Sequence, residues 1–199
     1  MEKEKGITSE LPETAQIERE LRREVYRRDY SRVLKSTIGG LVTVAAAAVL
    51  VAVLLLPVLR IFGKSMSPTL REGDIVLSLK TGEFSTGDVV AFYYNNKILV
   101  KRVIASSGDW VDLDEDGTVY VNREKIDEPY LTELAYGETN IELPFQVPES
   151  KIFVMGDNRA VSVDSRNTAV GCVAEEQVVG KIVFRVWPLN EIGPVKSGT

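Results

Sequence analysis

Between Lys35 and Arg60 the chain carries no charged residue: Ser36 to Leu59 are 24 consecutive uncharged positions, and from Leu41 onward they are almost entirely Leu, Val and Ala. A helix rises about 1.5 Å per residue, so this stretch reaches roughly 36 Å, enough to cross an apolar slab of about 30 Å with some tilt. A cleaved secretory signal is a poorer fit, since its apolar region is about 7 to 15 residues and starts close to the first residue. The run therefore divides the chain into three expected parts: a charged amphipathic segment over 1–35, a transmembrane helix over 36–59, and an outer domain over 60–199.

Charge orients these parts. Residues 1–35 hold nine Lys or Arg and eight Asp or Glu, and Arg19, Arg22, Arg23, Arg27, Arg28, Arg32 and Lys35 crowd toward the span, against Arg60, Lys64 and Arg71 beyond it. The positive-inside bias puts the amino terminus in the cytoplasm and residues 60–199 on the extracytoplasmic face of the cell membrane. Residues 14–34 lack Gly and Pro, are rich in Glu and Arg, and predict a surface helix with i,i+4 ion pairs.

The outer part reads as β-structure. Short runs rich in Val, Ile and aromatics occur at 75–79, 88–94, 98–104, 110–113, 118–122, 152–155 and 181–186. Asn95-Asn96 suits a tight hairpin, and Asp116-Gly117 a second turn. A mainly β, antiparallel domain with one N-terminal transmembrane helix is the economical reading. The stretch 132–150 is the least regular, and is expected to be a loop or an excursion from the sheet.

The chemistry is narrowed by what is missing. Of 199 residues none is histidine and one, Cys172, is cysteine. Ser-His-Asp hydrolases, Cys-His proteases and most zinc enzymes are excluded together, as is an intramolecular disulfide. The net charge of −5, with no basic concentration beyond the amino-terminal arm, argues against nucleic acid as a partner. What remains as a strong nucleophile at neutral pH is a hydroxyl activated by an unprotonated lysine. Lys101 is the best base, since alternation in the strand 98–104 sets it on the face of Leu99 and Val103. Lowering its pKa by about two units would cost roughly 2.7 kcal/mol, which apolar neighbours can impose. From the strand pattern alone, a lysine lifting its ammonium into water is the more ordinary reading. Ser65 is one of thirteen serines and stands out by its setting, Gly63 to Leu70 just past the span, where Pro68 restricts the chain. By itself this setting reads more readily as a polar juxtamembrane turn.

The motifs, taken in order, add a resemblance. SMSPTL after a single span is similar to the nucleophile box of bacterial type I signal peptidases, the membrane serine proteases that remove signal peptides. KRVIASSGD at 101–109 resembles that family's lysine box, and GDNRAVSVDSR at 156–166 its third signature. GDVVAF at 87–92, VNREKIDEPYL at 121–131 and VVGKIVFRVWPL at 178–189 are weaker matches in the family's order. The resemblance implies that Ser65 is the nucleophile, Lys101 the general base, and Ser162 a hydroxyl that orients the amine. It also implies that Arg102, Asp157, Arg159, Asp164 and Arg166 are framework residues. Met66, Leu70, Leu99 and Val100 would line shallow apolar subsites for small side chains, although each is also a plausible core residue. Two departures stand out: Gly63 replaces a hydroxyl residue that assists the oxyanion in some members, and Ala160-Val161 replaces residues that are often polar or acidic.

The expected partners are then the signal peptides of exported preproteins and the lipid bilayer, with proximity to the protein-export translocon. No metal and no cofactor is expected, because neither a Gly-rich phosphate loop nor a carboxylate cluster suggests one. A repressor-type Ser/Lys self-cleaving protease and a non-enzymatic membrane-anchored β-domain for adhesion or assembly are the competing readings.

Overall fold

The computed structural model describes residues 14–80, 82 and 84–198, and they form two units divided after Val51. The first consists of helix α1, Thr14–Leu55. Its 42 residues extend about 63 Å, twice an apolar slab, and the apolar part is long enough to cross a membrane. Within that part Thr43 satisfies its hydroxyl by donating to the Gly39 carbonyl at 2.9 Å. In the charged part the ion pair formed among the described residues is Glu24–Arg27 at 3.7 Å, three residues apart rather than the four expected. The helix ends four residues before the apolar run does. Pro57 disfavours helical geometry at Leu56, and the chain turns into a strand instead.

The second unit, past the last turn of α1, is mainly β-structure, as expected from its alternation, with short 3-10 turns at Glu175–Gln177 and Leu189–Glu191. In chain order the strands are β1 (Val58–Arg60), β2 (Ile75–Leu79), β3 (Val89–Tyr94), β4 (Lys97–Ala105), β5 (Trp110–Leu113), β6 (Val119–Val121), β7 (Glu124–Lys125), β8 (Phe145–Gln146), β9 (Lys151–Met155), β10 (Val173–Ala174), β11 (Val178–Trp187) and β12 (Gly193–Pro194). One sheet runs β1-β2-β11-β3-β4-β9-β10 with β12 added beside β11, and a smaller one runs β7-β6-β5-β8. Every pairing is antiparallel.

Local chemistry accounts for the connections. Asn95 adopts φ +51°, and Tyr94 pairs with Lys97, so the Asn95-Asn96 hairpin forms with two loop residues. Gly117 turns the chain from β5 to β6 at φ +90°, and its missing Cβ would lie 2.4 Å from the Ala135 carbonyl carbon. The segment 132–150 is irregular apart from β8, in keeping with its composition.

Both faces of the large sheet are covered. Along β3, Val89 and Ala91 face a cluster with Ile61, Met66, Leu70, Val76 and Ile182, whereas Val90 and Phe92 face one with Val103, Ile152, Val154 and Val173. That two-sided burial is why β3 reads as an unbroken apolar run. A third cluster, including Ile104, Val111, Leu113, Val119 and Phe153, joins the sheets.

Candidate active site

Ser65 sits on a turn that the core holds in place. The loop it belongs to is closed at its base, where Ile61 N–H donates to Asp74 O at 2.8 Å and Gly73 N–H to Ile61 O at 2.9 Å. Met66 and Leu70 then plunge into the interior, and Leu70 N–H donates to Met66 O at 2.9 Å. With the next side chain buried, the Ser65 backbone has little freedom. Its carbonyl accepts from Asn158 N–H at 3.0 Å, which ties the turn to the third signature. Among the described residues its own N–H makes no hydrogen bond. Gly63, at φ +79°, occupies a left-handed backbone position that disfavours any residue with a side chain, which gives the departure there a conformational reason.

Lys101 lies where β4 changes character. Before it, at 97–100, β4 pairs with β3 alone; from Arg102 onward β9 pairs on the other edge, and the strand is buried on both faces. Only 3% of Lys101 is exposed, and its Nζ donates to Ser65 Oγ at 2.7 Å. Burial is the largest influence on the amine and lowers its pKa from 10.5 to about 8. Asp164 and Asp157 oppose that shift, and Arg166 reinforces it. The amine is therefore partly neutral near neutrality. Once it loses a proton, the same contact can reverse, so that Ser65 O–H donates to Nζ.

The charged residues of the third signature form buried ion pairs, one within the signature and two with residues outside it. Arg102 forms a bidentate pair with Asp157, at 2.8 and 2.7 Å, and also donates to Gly87 O at 2.7 Å. Asp164 accepts from Arg166 Nε at 2.9 Å and from Gly156 N–H at 3.0 Å. Burial works against its charge, yet the Arg166 and Gly156 hydrogen bonds hold its carboxyl below the usual carboxylate range. Arg166 in turn donates to Arg159 O at 3.0 Å and Tyr136 O at 2.8 Å. Arg159 donates to Gly156 O at 3.1 Å and forms a buried ion pair with Glu128.

Ser162 is placed differently from the expectation. It is 1% exposed and adjacent to the nucleophile turn: a Cβ on Gly156 would lie 2.3 Å from Ser162 Oγ and 2.5 Å from Ser65 O. No hydrogen bond joins its Oγ to the lysine amine; the hydroxyl faces the Asp164 carboxylate and favours its charged form. Ala160 and Val161 are both exposed, so the apolar departure in this signature points away from the buried pairs.

A cleft of about 820 Å³ opens beside the serine, lined by the 58–66 segment and by Asn96 to Lys101. Met66, Leu99 and Val100 lie in its wall. Leu70, expected with them, is fully buried in the core beneath and does not line the cleft. Ile61, Phe62 and Ile98 are lining residues that the motifs did not single out. Sequence reasoning also missed Glu128 and Tyr130, although both stand in the matched VNREKIDEPYL segment. The Tyr130 ring lies over the Arg102 guanidinium, 3.8 Å from carbon to centroid. Among the described residues no group of His, Cys, Asp and Glu is arranged to hold a metal ion.

A hydroxyl in contact with a buried amine of lowered pKa, on a rigid β-scaffold beside an apolar cleft, is equipped for acyl transfer to a serine. Comparison with known proteins gives that class a family. Residues 34–187 match the family model described as signal peptidase, peptidase S26. A signal peptidase IB of Staphylococcus aureus is 44% identical over 149 residues, spanning 65% of this chain and 76% of that protein. A signal peptidase I of Bacillus licheniformis is 39% identical over 166 residues, 73% of this chain and 88% of that one. A crystal structure of a signal peptidase I from Enterococcus faecalis, 31% identical, aligns with 50% of this chain and 96% of its own at a TM-score of 0.43. The chain belongs to the signal peptidase family, peptidase S26. It is a serine endopeptidase of the signal peptidase I type.

Proposed function

We propose that this enzyme removes signal peptides from exported preproteins by cutting after small residues of the Ala-X-Ala kind, with Ser65 as nucleophile and Lys101 as general base. The observation that carries the reading is the 2.7 Å contact between Nζ and Oγ, made by an amine whose burial favours its neutral form. Neutral Lys101 takes the Ser65 proton as Oγ attacks the scissile carbonyl, giving a tetrahedral oxyanion beside the uncommitted Ser65 N–H. The lysine returns that proton to the leaving amine, the C–N bond breaks, and an ester acyl-enzyme remains. Water, deprotonated by the same amine, then releases the signal peptide. Ser162 is buried beside the turn, and rotation of its hydroxyl from Asp164 toward the neutral amine would orient the base. The half of β4 that lacks a second neighbour, 97–100, borders the cleft and suits an extended peptide added along its edge. Helix α1 anchors the enzyme in the bilayer that its substrate also enters, with residues 60–199 on the outer face, next to the export translocon.

The test is cleavage of a preprotein by the purified full-length chain. Ser65→Ala and Lys101→Ala should each lose at least about a thousandfold in rate while keeping wild-type β-structure by circular dichroism, because members of one catalytic unit fail together. Robust turnover by either folded variant would refute the dyad. A wild-type chain inert toward preproteins but cleaving itself would favour the self-cleaving alternative.

A further inference from the structure

One short segment grips two of the framework arginines, and neither of its residues has a role in the chemistry set out above. Tyr130 stacks on Arg102, the neighbour of Lys101 in β4, with 3.8 Å from guanidinium carbon to ring centroid. Its hydroxyl donates to Glu128 Oε1 at 2.7 Å, and Glu128 is the partner of Arg159. Arg159 holds the Gly156 carbonyl, and Gly156 packs against the Ser65 carbonyl and the Ser162 hydroxyl. The segment thus reaches the base through Arg102 and the nucleophile turn through Arg159. The far end of the chain closes the arrangement: Gly198 N–H donates at 3.0 Å to Gly87 O, which also accepts from Arg102, and a Cβ on Gly198 would lie 2.2 Å from the Tyr130 ring.

We propose that Glu128 and Tyr130 are positioning residues for the Ser65–Lys101 pair, holding Arg102 and Arg159 in the geometry that keeps the base neutral and the nucleophile aligned. The proposal rests on the dyad reading. The charges facing the Lys101 amine are Asp164, Arg166 and Asp157. Asp157 favours the ammonium form, and its carboxylate is held by bidentate pairing with Arg102. A face-on aromatic ring is a favourable neighbour for a desolvated guanidinium, and it fills the space into which Arg102 would otherwise shift. When the ring is lost, Arg102 loosens, Asp157 becomes less compensated, and the lysine holds its proton to higher pH.

The experiment compares Tyr130→Leu and Tyr130→Phe in the full-length enzyme on a peptide with small residues before the cut, measuring kcat and KM across pH 6 to 10.5. Tyr130→Phe keeps the stack and should retain the acidic limb of the wild type, with kcat within about twofold. Tyr130→Leu should lose tenfold or more in kcat with little change in KM, and its acidic limb should move up by about one pH unit. Phenylalanines carrying one to three ring fluorines, placed at the same position, weaken the stack at nearly constant shape, and should give graded shifts even if Tyr130→Leu does not fold. Titration of the isotope-labelled Lys101 side chain by NMR reads the same shift without using activity, so it stands even if the dyad reading fails in the Ser65→Ala control. A lysine titration and a kcat per folded molecule that are the same across the whole series would overturn the proposal and leave Tyr130 as packing.

Discussion

A lysine can serve as a base only while its amine is unprotonated, and Lys101 reaches that condition through burial. Its folded pKa of about 8, against an ordinary 10.5, should appear as the acidic limb of kcat/KM, with activity climbing through pH 8 toward an alkaline plateau. Lys101→Arg should be inactive at every pH, because guanidinium does not give up its proton. A profile with an acidic optimum, or an active Lys101→Arg, would contradict the assignment. The same burial has a stability consequence of definite sign. In the native state the amine binds its proton less tightly than in the unfolded chain, so below about pH 8 folding bears the full cost of the buried ammonium. That cost is relieved as pH rises from about 8 toward 10.5. Relative to Lys101→Met, the wild type should therefore gain up to about 3 kcal/mol across that window, read as a converging pair of thermal unfolding midpoints in detergent. Cys172, by contrast, is half-buried, and burial pushes its thiol up to about 11, so it is protonated and unreactive under the conditions in which the enzyme works.

Among the elements, the end of β9 and the nucleophile turn approach too closely to admit a side chain between them. Gly156 follows β9 directly, and a side chain there would collide with the Ser65 carbonyl, which is backbone and cannot swing aside. Gly156→Ala should displace the turn by a few tenths of an ångström or more and lengthen the Nζ–Oγ contact. A misplacement of about 1 Å can cost about a hundredfold in rate, so a shift of a few tenths of an ångström should cost roughly threefold to tenfold, and overpacking costs about 1 to 3 kcal/mol in stability. A purified Gly156→Ala enzyme with wild-type kcat would show that the turn tolerates the shift. Ser162→Ala offers a useful contrast at the same junction: it removes a buried hydroxyl without adding volume and should lower kcat without abolishing it, and a wild-type kcat would show that this hydroxyl does not orient the amine.

On the proposed reading the two units divide the labour of the whole molecule, an apolar helix for anchoring and a β-domain for chemistry. Seven basic residues between Arg19 and Lys35 crowd one side of the span and favour retention on the cytoplasmic side. Protease added outside intact cells should accordingly degrade residues 60–199 and spare the amino-terminal arm, as followed with tags at the two ends. Protection of the carboxyl-terminal tag with loss of the amino-terminal one would invert the topology. Large exposed apolar side chains at Phe62, Trp187 and Leu189 belong to the same β-domain as the cleft, so detergent is needed for the assays on purified enzyme.

What the sequence by itself determined was set by local signals: the 24-residue uncharged run, the strand alternation, the hairpin at Asn95-Asn96, and the absence of histidine, which rules out an imidazole base. The ordered motifs were enough to name Ser65, Lys101 and the charged residues of the third signature. Their partners were not legible, because Arg102 and Asp157 stand 55 residues apart and only the β4–β9 pairing brings them together. For the same reason Leu70 and Leu99 look alike as apolar neighbours of the motifs, while the fold sends one into the core and the other to the cleft wall. The end of the helix at Leu55 and the transfer of Val58–Arg60 to the sheet were also tertiary decisions: hydrophobicity suits a bilayer and a β-strand equally, and pairing with β2 chose between them. The lowered pKa of Lys101 belongs to the fold as well, since desolvation depends on what surrounds a side chain, and nearly all of what surrounds this one is distant in the chain.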